Sequence, residues 1–126
     1  MATVRSLTRV EAVQLDWGRL GLLYRQMGDA GAETVITRAS RELAFRLIRC
    51  DRLWRIGDIP GLRKCARSTI AIAEQIGMAK LAGVARDVTV AADQGDPVAV
   101  AATLARLQRM GRSSLRAVWR MRGLSL

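Results

Sequence analysis

Histidine is absent from the 126 residues, which removes imidazole general-base chemistry, Ser–His or Cys–His nucleophile pairs and most transition-metal sites. Aromatic residues make up only 4% of the chain while half of it is hydrophobic. A core must therefore be assembled from Ala, Val, Leu and Ile, and a hydrophobic content this high argues against disorder. Acidic residues number 11 against 21 Lys plus Arg, a formal net charge of +10. The two cysteines, Cys50 and Cys65, form no C-x-x-C; they read as buried thiols in a reducing compartment, with a redox role as the alternative. No apolar run approaches the roughly 18 residues of a membrane span. The opening Met1-Ala2-Thr3-Val4-Arg5 has no signal-like apolar stretch, so the expected location is the cytoplasm, with no membrane partner. No metal ligand cluster, Gly-rich phosphate loop or acid/base pair stands out. No cofactor is expected, and no enzyme.

What remains is helical. Gly28-Asp29, Gly57-Asp58 and Gly95-Asp96 each read as a helix stop followed by a helix start, with Gly left-handed at the C-terminal end and Asp as the next N-cap. The two prolines, Pro60 and Pro97, both fall in a first turn, where a missing N–H is tolerated. Between these marks apolar residues recur at steps of three and four. Ile36, Ala39, Leu43, Leu47, Cys50 and Trp54 form one stripe. Leu62, Ala66, Thr69, Ala73 and Ile76 form a second, and Leu81, Val84, Ala85, Val88 and Ala92 a third. Val100, Leu104, Leu107, Gly111, Leu115 and Val118 form a fourth, with Leu20, Leu23, Tyr24 and Met27 marking a shorter helix upstream. No segment alternates with a strand period. Short connections force antiparallel neighbours, so the expected fold is a single all-α domain over 1–126. It consists of an up-down-up-down four-helix bundle over about 16–118, an N-terminal helix or arm at 1–15 and a short basic tail at 119–126.

With Leu62, Ala66, Thr69, Ala73 and Ile76 inward, helical geometry turns Arg63, Arg67, Ile70 and Glu74 outward, with Ala71 beside them and Lys64 at the edge. The run Ala66-Arg67-Ser68-Thr69-Ile70-Ala71, continuing to Ile76-Gly77-Met78 and Leu81, resembles the histidine phosphotransfer (HPt) family of bacterial phosphorelays. That family carries roughly A-H-x-L-K-G-x-x-x-x-[IL]-G-A-x-x-L on the second long helix of a four-helix bundle. Ala66, Ile76, Gly77 (the motif glycine) and Leu81 fall on matching positions, and Met78 replaces the small residue. The departures fall on the chemistry. Arg67 occupies the phosphoacceptor position, Ile70 that of the charge-neutralising Lys and Ala71 that of the small Gly. A guanidinium stays protonated and has no nucleophilic lone pair. The resemblance therefore implies a module that has lost phosphotransfer and kept a docking face, Arg63, Lys64, Arg67, Ser68, Ile70, Ala71 and Glu74, for the acidic pocket of a receiver domain or for a sensor kinase.

Other surfaces offer alternatives. All but two of the basic residues are Arg. Arg106, Arg109, Arg112, Arg116, Arg120 and Arg122 crowd the C-terminus without an acidic neighbour, and Arg38, Arg41, Arg49 and Arg52 flank Phe45. Such stripes suit phosphate, so nucleic acid is the alternative partner, although no reading motif is present. Phe45 either packs under the N-terminal segment or anchors a partner. Trp119 is either a core plug or an interface residue, and a purely structural subunit is a third reading.

Overall fold

The computed structural model describes residues 15–121, which are helical throughout except for caps and turns. In chain order α1 is Trp17–Arg55, α2 Ile59–Gln75, α3 Ala79–Gln94 and α4 Pro97–Met121, and no strand occurs among the described residues. The arm expected at 1–15 lies outside them apart from Leu15, as does Arg122. Of the tail expected at 119–126, Trp119, Arg120 and Met121 belong to α4.

Three helix starts carry an aspartate. Asp16 accepts from the Arg19 N–H at 2.9 Å, Asp58 from the Gly61 N–H at 2.9 Å, and Asp96 from the N–H groups of Val98 and Ala99, each at 3.1 Å. Each carboxylate satisfies donors that the first turn leaves without a partner. The stop expected at Gly28 is present as a kink within α1. Gly28 (φ 73°, ψ 171°) breaks the helical dihedrals at one residue and α1 resumes at once. One positive-φ residue thus ends a shorter helical segment and the next begins at Asp29 without a loop between them, so α1 is two helices run together across a kink. The break between α2 and α3 falls at Gly77 (φ 72°), a stop that no Gly-Asp pair announces.

Pairs of residues across the helices give their directions. Arg46 meets Ser68 and Cys50 meets Cys65 between α1 and α2, while Arg63 meets Asp93 and Glu74 meets Arg86 between α2 and α3. In both pairs of helices one residue number rises as the other falls, so α2 runs antiparallel to α1 and α3 antiparallel to α2. Helix α4 closes the ring against α1, where the Gln108 Nε2–H donates to the Leu47 carbonyl at 2.7 Å.

The buried stripe of α1 is Ile36, Ala39, Leu43, Leu47 and Cys50. The other helices contribute Leu62, Ala66, Thr69 and Ala73, then Leu81, Val84, Ala85 and Val88, then Val100, Leu104, Leu107 and Val118. Removing these faces from water at roughly 25 cal/mol per Å² is the main term holding the helices together. Thr69, the polar member of the α2 stripe, donates its hydroxyl to the Cys65 carbonyl at 2.8 Å. Trp54 departs from expectation, being 39% exposed. It lies in the last turn of α1, where the bundle ends, and lines a cavity of about 300 Å³ with Ile59, Ala92, Pro97 and Val100. Trp119 is partly buried and packs against the core.

Candidate docking face on the second helix

Helix α2 presents Lys64, Arg67, Ala71 and Glu74 as exposed residues, with Arg63 partly covered. Two of these five are engaged by α3. The Arg63 guanidinium grips Asp93 with two hydrogen bonds, Nε to Oδ1 at 2.5 Å and Nη2 to Oδ2 at 3.2 Å. Asp93 bonding and its negative charge hold that guanidinium above its ordinary pKa. Glu74 Oε2 accepts from Arg86 Nη2 at 2.6 Å. Arg67, one turn from Arg63, has no ion pair among the described residues. Its five N–H donors and fixed charge face solvent between the two bridges.

Ser68 and Ile70 sit differently from the other residues expected on this face. Ile70 is half-buried, with its apolar side chain packed against the core. Ser68 lies at the border with α1, where its Oγ accepts from Arg46 Nη1 at 2.6 Å and donates to the Cys65 carbonyl at 2.9 Å. A peptide carbonyl is no base, so this hydroxyl is held as a structural bridge and not as an activated nucleophile. Ala66, Ile76, Gly77 and Leu81, the positions shared with the HPt pattern, are all buried.

Further cations line two other outer faces. Along α1, Arg38, Arg41, Arg49 and Arg52 are exposed around Phe45 and Ile48, each 66% exposed. Along α4, Arg109, Arg112, Arg116 and Arg120 are exposed, while Arg106 approaches Asp87 at 4.0 Å. The N-terminal cover considered for Phe45 falls on residues 1–14, outside the described residues. No group of three or more His, Cys, Asp or Glu able to hold a metal occurs among the described residues, and none of their helices is long and apolar enough to cross a membrane.

One constellation escaped the sequence reading: Cys50 and Cys65 meet across α1 and α2, their sulfurs 3.1 Å apart. The signal was present. The two lie seven and eight positions from Gly57, the middle of the α1–α2 turn, so an antiparallel pair brings them level. The Cys50 thiol donates to Cys65 Sγ. That bond and the nearby Arg46 and Arg49 guanidiniums outweigh burial and lower the Cys65 pKa to about 7. The same bond, with burial, pushes the Cys50 thiol up.

Fold and surface together define an all-α bundle with basic outer faces. No protein-family model matches the chain, and neither a curated protein nor a solved structure matches it.

Proposed function

We propose that this chain is a non-catalytic, HPt-like protein of two-component phosphorelay signalling, acting in the bacterial cytoplasm. It docks a receiver domain or a sensor kinase as a regulator or decoy and accepts no phosphate. The single observation that carries this reading is the placement of Arg67. It lies exposed on the second helix of a four-helix bundle, without an ion pair among the described residues, between Arg63 and Glu74, one cation and one anion already engaged with α3. Around it the residues shared with the HPt pattern are buried, which supports the alignment that puts Arg67 at the phosphoacceptor position. A receiver domain offers clustered carboxylates, and a permanent guanidinium is suited to hold such a pocket, or a phosphorylated aspartate within it, without chemistry.

The test is capture on immobilised chain of purified receiver domains, run beside attempted phosphotransfer from a phosphorylated receiver. Retention of a receiver without transfer of label is the expected outcome. Stable labelling of the chain removes the non-catalytic assignment, and failure to retain any receiver removes the docking assignment.

A second reading, nucleic-acid binding through arginine stripes, is favoured by Arg38, Arg41, Arg49 and Arg52. All four are exposed along α1 without an ion pair among the described residues. Retention on generic DNA that falls steeply with salt and is unchanged by Arg67→Glu distinguishes this reading from the first.

A further inference from the structure

We propose that Cys50 and Cys65 are a reversible redox pair, oxidised by a hydroperoxide to an intramolecular disulfide that ties α1 to α2. Two antiparallel helices hold the sulfurs 3.1 Å apart. A disulfide bond of about 2.05 Å needs a further approach of about 1 Å, within reach of small side-chain rotations. The chain contains no third cysteine, so the intramolecular product is unique.

The two thiols are not equivalent. Cys50 is fully buried, whereas Cys65 retains 4% exposure and lies beside Arg46, whose guanidinium reaches from α1 to Ser68 on α2. The hydrogen bond from Cys50 and, after it, positive charge from Arg46 and Arg49 favour the thiolate at Cys65, the reactive form of a cysteine. Burial of this degree favours the smallest hydroperoxide, hydrogen peroxide, as the oxidant. In the first step the Cys65 thiolate attacks the terminal peroxide oxygen. The O–O bond breaks, an S–O bond forms, and hydroxide (or alkoxide) leaves, giving sulfenic acid at Cys65. In the second step Cys50 sulfur attacks Cys65 sulfur, the S–O bond breaks, and the Cys50 proton leaves with the oxygen as water. With hydrogen peroxide, two thiols become one disulfide and two waters form. A dithiol reductant reverses the cross-link by exchange.

The pair is separate from the docking face, since Arg67 points to solvent while both sulfurs lie between the helices. Loss of receiver docking would leave it untouched.

The experiment exposes the reduced full chain to hydrogen peroxide at pH 7, removes the oxidant, unfolds the protein and alkylates it with N-ethylmaleimide. Reduced protein is expected to take two adducts and oxidised protein none, with both restored by dithiothreitol. Trypsin cuts after Arg49, Arg52, Lys64 and Arg67, so the cross-link is read as Cys50-Asp51-Arg52 joined to Cys65-Ala66-Arg67, 2 Da lighter than the two free tripeptides. Cys50→Ser is expected to halt at the Cys65 sulfenic acid, captured by dimedone, and Cys65→Ser to leave Cys50 unmodified. Persistence of both thiols, cross-links only between molecules, or equal oxidation of Cys50 in Cys65→Ser would overturn the proposal. Where a serine variant fails to fold, the wild-type peptide map decides alone.

Discussion

The Asp16 N–H donates to the Gly77 carbonyl at 2.6 Å, so the first residue of the α1 cap is bonded to the turn between α2 and α3. Gly77 holds φ 72°, and a Cβ there would come within 2.9 Å of the Asp16 carbonyl oxygen, a backbone atom that cannot step aside. Both a left-handed conformation and a lack of space thus require glycine at this motif position. Gly77→Ala is expected to cost about 1–3 kcal/mol, read from the urea midpoint at unchanged slope. Wild-type stability in that variant would show that neither constraint holds.

Leu43 and Phe45 lie two residues apart on opposite faces of α1, one fully buried and one 66% exposed. Leu43→Ala removes a filled core site and is expected to cost about 2–5 kcal/mol. Phe45→Ala is expected to stay within about 0.5 kcal/mol. Chemical denaturation of the two variants side by side measures the contrast; equal losses would mean that Phe45 is covered as well as Leu43.

Cys65 is lowered to about pH 7 while Cys50 is raised. A depressed pKa places the thiolate of Cys65 above pH 7, so its reaction with peroxide should rise to half its limiting rate near pH 7 and level off by about pH 8. An ordinary thiol, half-ionised near 8.5, continues to gain over that interval. Stopped-flow oxidation from pH 5.5 to 9 reads the profile. Arg46→Met and Arg49→Met each withdraw a cation and are expected to move the midpoint upward.

The helices were legible because their apolar spacing is strong. Leu62, Ala66, Thr69, Ala73 and Ile76 are buried as their steps of three and four require. The same arithmetic overreached at Trp54, since periodicity carries no information about where a bundle ends and opposing residues run out. Asp58 and Asp96 were readable as caps from local chemistry. Asp16 and Gly77 were not, because their bond joins segments about sixty residues apart. On the candidate face, exposure of Lys64, Arg67 and Ala71 follows from the helical period alone. That Asp93 already occupies Arg63 depends on the register of α3, and that Ser68 turns toward Arg46 depends on α1. Neither neighbour can be placed from one helix considered by itself.

Arg63 and Arg67 are both cationic, but Asp93 neutralises only the first. Docking through this face should therefore weigh the two unequally. The most direct measurement is a calorimetric titration of a captured receiver domain into wild-type, Arg63→Gln and Arg67→Glu chains. Arg67→Glu is expected to weaken binding at least about tenfold, roughly 1.4 kcal/mol, and Arg63→Gln by clearly less. Affinity unchanged by Arg67→Glu would contradict docking through the outer face of α2.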